Sequence, residues 1–519
     1  MPRLGPQLTN QTRRVLTWVD ATVNRLYGWR FNPLYQSGAL ATALLSVVLL
    51  TGVYLLFFYK VSAPYDSVAR LADQVWLGRW VRSLHRYASD AALVAALFHA
   101  LRMFAQHRAW GPRVLAWASG LILVFVVLVC GWTGYVMVWD AQGLALAREG
   151  ARFLDALPLF SEPIGRSFVG ERELPSAFFF LNLFLHVALP IGLGVLLWIH
   201  VSRVARPVLL PPRRLLWAAV GALLALSLIW PAVLGPEADV FRLPQRAPLD
   251  VFYNFWLPLT ERLPAWTVWT LGSAFAAIVM LAPLWLRPAA PDHPPASSVD
   301  ERLCTGCRQC YLDCPYEAIA MMERTDGRPE PVAHVDPALC VSCGICAGSC
   351  APMGVGPPGR TGRDQLSAIR QFIMQRRLAG TDVVVIACTH GAGGSGALDG
   401  THVYPIDCAG NLHTSVVEYL LRSGVGGVLV AACPGRDCWH REGPKWLTER
   451  LYHDREAELQ PRVDKRRVRV AHAGAAERPA LLAALTAFRG DLAALDAAAG
   501  EETIDLDFAC EPTEETAKP

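Results

Sequence analysis

Eight cysteines in the second half of the chain fall into two runs that share one spacing. They are Cys304, Cys307, Cys310 and Cys314 in "CTGCRQCYLDCP", and Cys340, Cys343, Cys346 and Cys350 in "CVSCGICAGSCAP". Both runs read C-x2-C-x2-C-x3-C, with Pro directly after the last cysteine or one residue later. Three closely spaced thiolates can bind three irons of one cubane, and the fourth thiolate then reaches a second cubane. The spacing therefore predicts two [4Fe–4S] clusters that exchange their fourth ligands. One cluster uses Cys304, Cys307, Cys310 and Cys350, and the other uses Cys340, Cys343, Cys346 and Cys314.

Zinc and disulfide bonds are the alternatives for these cysteines. A zinc site usually takes two separated pairs of ligands rather than triplets, and disulfide bonds do not predict a spacing that occurs twice. The module resembles the two-cluster ferredoxins of bacteria. Because thiols stay reduced in the cytosol, we expect the module to be cytosolic.

Two pairs of histidines lie in apolar stretches of the first half. His85 and His99 are fourteen residues apart, and so are His186 and His200. Fourteen residues rise about 21 Å along an α-helix and make almost four turns, so both members of a pair face the same side. Two such helices in parallel would place His85 opposite His186 and His99 opposite His200, and each pair can clamp one haem iron. A lone membrane histidine is more often a hydrogen-bonded interior residue, but four at two equal spacings favour two haems.

The first 287 residues contain apolar runs that are long enough to cross a bilayer. Over the whole chain 53% of the residues are hydrophobic and 18% are charged, and the mean hydropathy is +0.28. A membrane helix needs about 20 such residues. Six spans are predicted, at 37–58, 80–103, 114–138, 176–203, 214–235 and 265–286. The net charge of +3, without a basic surface interleaved with aromatic residues, gives no indication of nucleic acid binding.

An even number of spans places both termini on one side of the membrane. The short loops 104–113 and 204–213 are rich in arginine, so the positive-inside rule favours termini in the cytoplasm. The predicted location is the inner (cytoplasmic) membrane of a bacterium or archaeon, with several passes and with the iron–sulfur domains in the cytoplasm.

Residues 20–286 resemble cytochrome b, the dihaem core of the bc and bf quinol-oxidising complexes. The resemblance rests on the histidine pairs, on "RSLHR" and "GWTGYVMVWD", and on four glycines. These glycines are also fourteen apart in pairs, namely Gly38 and Gly52, and Gly120 and Gly134. Glycine permits the close backbone approach that the edge of a macrocycle needs, although small residues also pack membrane helices together. The resemblance implies a quinone as substrate and a homodimer as in cytochrome b complexes.

The same resemblance implies roles for two arginines beside the first histidine. Arg82 and Arg86 match residues that bind haem propionates, and their alternative role is that of interfacial anchors. The bf-type proteins attach an extra haem through a cysteine near the first span. No cysteine precedes Cys130 here, so both haems are expected to be non-covalent haem b.

The quinol-oxidising loop of the family contains a Pro-Glu-Trp-Tyr motif. The corresponding segment here, 247–258, reads "APLDVFYNFWLP", in which Pro248 and Tyr253 are loose counterparts and the Glu-Trp pair is missing. Asp250 could take a proton from a quinol as the catalytic carboxylate, or it could be an exposed loop acid.

Four further cysteines follow predicted strands near the C-terminus. They are Cys388, Cys408, Cys433 and Cys438. Loops after parallel strands meet at one edge of a sheet, so these thiolates can come together. They suit a [2Fe–2S] cluster or structural zinc. Residues 380–450 are similar to the hydrogenase iron–sulfur (delta) subunit family, which passes electrons to flavoproteins, on the basis of "DCAGN", "GVGGVLV" and "CPGRDCWHREG".

The delta-subunit pattern is incomplete in this chain. That family usually opens with Cys-x-x-Cys, whereas this chain reads "CTHG", and the second cysteine is lost. His390 and His440 lie nearby and could substitute as ligands, or they could be exposed loop histidines.

The expected fold is therefore multi-domain. An N-terminal arm (1–36) precedes an all-α transmembrane dihaem bundle (37–286), a Pro-rich linker (287–300), an α+β ferredoxin-like domain (301–360), an α/β domain (380–490) and an acidic tail (491–519), predicted to be disordered after Gly500. The expected function is that of a membrane electron-transfer subunit, which links the quinone pool to a soluble cytosolic flavoprotein or iron–sulfur oxidoreductase. A bifurcating quinol oxidase and a membrane anchor without quinone chemistry are the alternatives.

Overall fold

The chain divides into two compact units, Met1–Ala289 and Ala290–Pro519. The computed structural model describes residues 4–106, 108–110, 113–157, 163–168, 174–205, 209–241, 250–286, 295–376, 378–395, 398, 400–453, 455 and 457–507. The first unit is helical, and the second combines helices with three sheets in its described residues. Most of the predicted linker, from 287 to 294, lies outside the described residues.

The first unit is built from ten α-helices in the ranges described. They are α1 (Leu4–Tyr27), α2 (Ser37–Leu56), α3 (Pro64–Asp73), α4 (Gly78–Ala105), α5 (Val114–Val138), α6 (Ala141–Asp155), α7 (Ser176–Ile199), α8 (Arg213–Ile229), α9 (Leu257–Arg262) and α10 (Ala265–Trp285). Helices α2, α5 and α7 contain no Asp, Glu, Lys or Arg. A helix satisfies its own backbone polar groups, which is why such apolar segments adopt it in a bilayer.

Within the described parts of the chain, five helices are long and apolar enough to cross a membrane. They are α2, α4, α5, α7 with its extension to Ser202, and α10. The predicted span 214–235 corresponds to α8, which has only 17 residues and ends at Ile229. The cause is Pro231, because the residue before a proline is driven out of the helical conformation. Trp230 accordingly has φ −132° and ψ 73°.

The N-terminal arm is more ordered than its polar composition suggests. Its residues form helix α1, and Asp20 on that helix makes a buried salt bridge with Arg102 near the end of α4, at 2.8 Å. Helix α1 is therefore fixed to the bundle.

The cysteine-rich part of the second unit has two small antiparallel sheets. Strand β1 (Ser298–Val299) pairs with β4 (Val355–Gly356), and β2 (Ile319–Met322) pairs with β3 (Val332–Val335). Two short helices, α11 (Gln309–Leu312) and α12 (Ile345–Ser349), each follow the opening cysteines of one run. Helix α13 (Gly362–Met374) leads into the next domain.

A parallel four-stranded sheet forms the core of the C-terminal domain. Its order is β6 (His402–Ile406), β5 (Val383–Cys388), β7 (Gly427–Ala432) and β8 (Val468–His472). Strands β5, β7 and β8 coincide with the apolar segments "DVVVIAC", "GGVLVAAC" and "RVRVAHAG", for which the sequence predicts strands of a parallel sheet. Strand β6, which precedes Cys408, lies at the sheet edge, is only partly buried and contains Pro405, which edge strands tolerate.

Three helices accompany this sheet. They are α14 (Thr414–Arg422), α15 (Gly443–Tyr452) and α16 (Arg478–Asp507). The prediction of a disordered tail after Gly500 is wrong for its first residues, because α16 continues to Asp507. The apolar spacing of "LLAALTAFRGDLAALDAAAG" supports the helix as far as Gly500. The tail after Asp507 lies outside the described residues.

Candidate redox sites

Helices α2 and α4 bring two glycines against two histidines. A Cβ built on Gly38 would lie 2.7 Å from Nδ1 of His99, and a Cβ built on Gly52 would lie 3.2 Å from Cε1 of His85. Both distances are shorter than ordinary contacts, so a larger residue at either position would displace an imidazole.

Helices α5 and α7 repeat this arrangement. A Cβ built on Gly134 would lie 2.9 Å from Cε1 of His186, and a Cβ built on Gly120 would lie 3.6 Å from Cε1 of His200. His200 lies at the junction between α7 and a π-helical turn, His200–Ala205. Such turns occur often at functional sites.

His85 and His186 face each other across the bundle. Their ring centroids are 6.5 Å apart and their planes are inclined by 59°. Two metal–imidazole bonds of about 2 Å in line, together with the half-widths of both rings, span roughly 6 Å. The separation therefore suits one metal ion between the two rings, as in a haem with two histidine ligands.

Hydroxyl groups fix the orientation of three of the four imidazoles. The contacts to Nδ1 are Thr51 Oγ1 to His85 at 2.9 Å, Ser119 Oγ to His200 at 2.8 Å and Thr133 Oγ1 to His186 at 3.0 Å. Each hydroxyl also donates to a carbonyl within its own helix, as Thr51 does to Val47 at 2.7 Å. A hydroxyl has one proton, so it must accept from the histidine. Nδ1 therefore carries the proton, and Nε2 keeps the lone pair that a metal requires.

Arg86 links two acids beside His85. Its Nε lies 3.3 Å from Asp90 Oδ2 and its Nη2 lies 2.9 Å from Asp250 Oδ2. The hydroxyl of Tyr135 donates to the same oxygen of Asp250, and Oδ1 accepts the N–H of Phe252 at 2.6 Å. Asp250 is buried, so its interpretation as an exposed loop acid is wrong. Both of its oxygens already accept hydrogen bonds.

Arg82 makes different contacts. It donates to the carbonyls of Ala232 at 2.7 Å and Val233 at 3.3 Å. These bonds fix the chain that follows α8. Pro248, a predicted counterpart in the quinol-oxidising loop, lies outside the described residues.

Asp90 is an acid within the membrane helix α4. Its Oδ1 is buried and has no hydrogen-bond partner among the described residues. The hydroxyls of Ser89 and Tyr253 lie 2.6 Å apart next to it. An ionisable group in a membrane span is costly and points to function.

The eight ferredoxin-type cysteines line two separate cavities. The first cysteine cavity is lined by Cys304, Cys307, Cys310 and Cys350 among others. The second cysteine cavity is lined by Cys314, Cys340, Cys343 and Cys346 among others. These are the two groups that the exchange of fourth ligands predicts.

Left-handed residues turn the chain between these cysteines. Gly306 and Ser342 precede the second cysteine of their runs with φ of 73° and 56°, and Arg308 and Gly344 follow it with φ of 66° and 77°. The two runs therefore fold alike. The turns bring thiols that are three residues apart towards one cavity.

The four C-terminal cysteines meet at one edge of the parallel sheet, and we call them the sheet-edge site. Cys388, Cys408, Cys433 and Cys438 are each no more than 2% exposed. Cys388 Sγ lies 3.9 Å from Cys433 Sγ, and Cys438 accepts hydrogen bonds from Cys408 and Cys433. Thiolates around a tetrahedral metal with bonds of about 2.3 Å are spaced about 3.8 Å apart.

Hydrogen bonds between these thiols leave two of them poised to ionise. The thiol of Cys433 lowers the pKa of Cys388 to about 7, and the thiols of Cys408 and Cys433 hold the pKa of Cys438 well below its usual range. The same hydrogen bonds raise the pKa of Cys408 and Cys433 well above their usual range. A thiolate rather than a thiol binds metal, so Cys388 and Cys438 are the two thiols that ionise most readily for it.

His390 and His440 flank an acid beside this site. Their Nε2 atoms lie 3.6 and 3.5 Å from the carboxylate of Asp407, to which Arg360 also donates at 2.6 Å. The two imidazoles, followed by Arg360, hold the pKa of Asp407 well below its usual range. His440 is buried, so its interpretation as an exposed loop histidine is wrong.

Comparison with known proteins gives the N-terminal part its family. Residues 23–208 match the family model "Cytochrome b/b6/petB". This part of the chain is a cytochrome b domain. The cytochrome b subunit of menaquinol:cytochrome c reductase from Bacillus subtilis is 27% identical over 204 residues, which cover 35% of this chain and 91% of that protein. Cytochrome b6 of Prochlorococcus marinus (strain MIT 9515) is 27% identical over 176 residues, covering 33% of this chain and 79% of that protein.

The second unit matches two other families. Residues 303–354 match the 4Fe-4S dicluster domain, and residues 389–496 match the delta subunit of methyl-viologen-reducing hydrogenase. A solved structure titled "Hyperthermophilic respiratory Complex III" aligns over 51% of this chain and 82% of that chain, with a TM-score of 0.39 and 15% identity.

Together these matches identify an integral membrane electron-transfer subunit. The cytochrome b domain implies haem b, and the dicluster domain implies iron–sulfur clusters. The delta-subunit domain indicates redox partner subunits.

The sequence analysis did not predict the hydroxyl residues beside the histidines, or Asp90, as parts of the site. A hydroxyl residue precedes each glycine that faces a histidine, at Ser37, Thr51, Ser119 and Thr133. This regularity was visible in the sequence, but its meaning depends on knowing which helices pack together. Asp90 is also visible as the one acid within "LHRYASDAALVAALFHALR".

Proposed function

We propose that this chain carries electrons between a quinone pool and a soluble flavin or iron–sulfur oxidoreductase on the cytosolic side. It would do so with two haems b, two [4Fe–4S] clusters and one [2Fe–2S] cluster. The observation that carries the proposal is the pair His85 and His186, whose rings face each other at 6.5 Å while Thr51 and Thr133 orient them.

The chain's own residues would hold and orient these groups. His85 and His186 would bind one haem, and His99 and His200 the other, with the four glycines giving room for the macrocycles. Haems and clusters of this kind supply one-electron transfer when they are bound. Arg82 and Arg86 already bond to protein groups, so a haem propionate at either arginine would share it with those groups.

The third metal site is proposed as a [2Fe–2S] cluster rather than zinc. Cys388 contacts Cys433, Cys433 also contacts Cys438, and Cys438 contacts Cys408, so the four thiols form one connected group. Four thiolates, two for each of two irons, are the ligand set of a [2Fe–2S] centre, and the match of residues 389–496 to a hydrogenase delta subunit favours a redox group there over structural zinc.

Optical and EPR spectra of the intact protein, together with haem, iron and zinc counts, test the proposal. We expect two haems extractable by acid acetone, about ten irons per chain from the three clusters, and haem reduction by a quinol analogue. A single haem or a zinc-only metal content would contradict it. Haem that does not respond to quinol would instead support the membrane anchor.

Replacement of Thr133 by valine should change one haem without removing it. The variant keeps the shape of the side chain but removes one of the two acceptors of the His186 Nδ1 proton, and leaves the backbone carbonyl of Cys130 as the other. Because that bond makes the ligand more basic, its loss should raise the midpoint potential of one haem while two haems remain bound. A redox titration followed by absorbance measures this.

Thr270→Val is the matched control for this experiment. Thr270 lies on α10, one of the candidate membrane spans, and within the described residues its exposed hydroxyl bonds to its own helix, at the Trp266 carbonyl. Equal potentials in Thr133→Val and the unaltered protein would show that the hydroxyl does not act on the haem.

Asp90 favours a second function, the oxidation of quinol with one electron sent to each side of the membrane. We propose that Asp90, rather than Asp250, accepts the quinol proton. Asp90 Oδ1 is buried without a partner among the described residues, whereas both oxygens of Asp250 are engaged. Arg86 contacts both acids, so it can stabilise the charge of either.

Asp90→Asn should then slow haem reduction by quinol at least tenfold and leave reduction by dithionite unchanged. The amide has the same shape but cannot accept the proton. Stopped-flow absorbance gives both rates, and Asp239→Asn, in an exposed loop, is the control. A normal quinol rate in Asp90→Asn would exclude Asp90 as the proton acceptor.

A further inference from the structure

A fully buried arginine lies between two of the cysteine sites of the second unit. Arg450 on α15 is 1% exposed. Its Nε donates to the Trp446 carbonyl at 2.9 Å, and its Nη2 donates to the Gly410 carbonyl at 2.6 Å. Gly410 follows Cys408 of the sheet-edge site by two residues. Nη1 is buried and has no hydrogen-bond partner among the described residues.

The free edge of this guanidinium lies against the helix of the second cysteine cavity. A Cβ built on Gly348 of α12 would lie 1.7 Å from Nη1, so only glycine leaves room there. Cys346 lies two residues before Gly348, and Cys350 of the first cysteine cavity lies two residues after it. Of these two cysteines, Cys346 is the one whose charge acts more strongly on Arg450. Arg450 interacts electrostatically with Cys346 on one side and Cys408 on the other, and Cys408 also interacts with Cys343. The arginine therefore lies between two thiol sites that are close to each other.

No carboxylate hydrogen-bonds to Arg450 within the described residues. The acid that acts on it electrostatically is Asp313. That carboxylate accepts a hydrogen bond from Ser349 at 2.6 Å and is paired with Arg455. A buried charge is costly when no group of opposite charge is paired with it. Burial lowers the pKa of Arg450 to about 10, which still leaves it charged at neutral pH.

We propose that Arg450 is a shared counter-cation of the clusters in the second cysteine cavity and the sheet-edge site. This inference rests on the proposed function, in which both sites hold iron–sulfur clusters. A cluster held by four thiolates is anionic, and it gains one more negative charge when it accepts an electron. The charge of Arg450, in a poorly solvated position, stabilises that added charge at both sites. Arg450 thus raises the reduction potentials of both clusters together. It acts through its charge and binds no metal itself.

The test is an EPR-monitored redox titration of the full-length protein, with dithionite as reductant. In Arg450→Met we expect the equilibrium constant for one-electron reduction to fall at least tenfold at both sites, which is about 59 mV for each tenfold change. The cluster of the first cysteine cavity should change less. Arg450→Lys keeps the charge and should restore values near those of the unaltered protein. Arg466→Met is the matched control, because this arginine is exposed and precedes β8, at the opposite end of the strands from the cysteines.

The variants distinguish an effect of the Arg450 charge on the cluster potentials from a role of its side chain in maintaining the local structure. Unchanged potentials in Arg450→Met, or an equal shift in Arg466→Met, would overturn the proposal. If Arg450→Met fails to retain iron, Arg450→Lys decides. Two clusters with normal potentials in the lysine variant support a requirement for charge, whereas their loss shows that the shape of arginine is what matters. Zinc at the sheet-edge site would refute the third cluster of the proposed function, and the potential of the neighbouring cubane would still test Arg450.

Discussion

Replacing His186 with leucine is expected to lower the haem content from two per chain to one. Leucine fills much of the same volume but offers no lone pair, so the iron between His85 and His186 would lose one ligand. His85→Leu should remove the same haem, because both rings face the same position. Haem extraction and difference spectra of the purified protein measure the loss.

The pairing of ligands can be tested more sharply by comparing four variants. His85→Leu and His186→Leu should leave one spectrum and one midpoint potential, while His99→Leu and His200→Leu should leave another. Loss of different haems from His85→Leu and His186→Leu would contradict the pairing. Retention of both haems in any of the four variants would show that the residue replaced is not a ligand.

Replacing Cys350 with serine is expected to harm the cluster of the other cysteine run. Cys350 lines the first cysteine cavity with Cys304, Cys307 and Cys310, although it belongs to the second run along the chain. The variant should therefore change the same EPR signal as Cys307→Ser, and not the signal changed by Cys343→Ser. Up to about four of eight cubane irons should be lost.

Cys130→Ser is the control for a general effect of removing a thiol, because Cys130 lies in the membrane unit and belongs to no cysteine site. If Cys350→Ser and Cys343→Ser changed the same cluster, the exchange of fourth ligands would be wrong. Equal iron counts in Cys350→Ser and Cys130→Ser would exclude Cys350 as a ligand.

The facing positions of His85 and His186 and the two groups of ferredoxin-type cysteines agree with the sequence patterns, because helical periodicity and short turns are local properties. The fourteen-residue spacing places His85 and His99 on one face of α4 whatever their neighbours are. The left-handed conformations at Gly306 and Ser342 likewise follow from short-range geometry. Strands β5 and β7 were predictable because every residue in them is buried.

Other features depend on contacts between distant segments and could not be predicted. The burial of Asp250 results from Arg86 and Tyr135, which lie more than a hundred residues earlier. The position of Arg450 depends on how α15 packs against α12. The length of α8 is an intermediate case, since Pro231 was visible but the apolar residues after it favoured a longer span.

The repeated pattern of hydroxyl, glycine and histidine has a consequence for assembly. Helices α2 and α4 supply one copy of the pattern, and helices α5 and α7 supply the other. Under the proposed ligand assignment, each helical hairpin contributes one histidine to each haem, so neither hairpin can bind a haem alone. Haem binding would then be the step that joins the two hairpins. Before that step, the histidines of one hairpin would have no bond to those of the other. In such a protein, the supply of haem would determine how much of the membrane domain is correctly assembled, as well as how much of it is active in electron transfer.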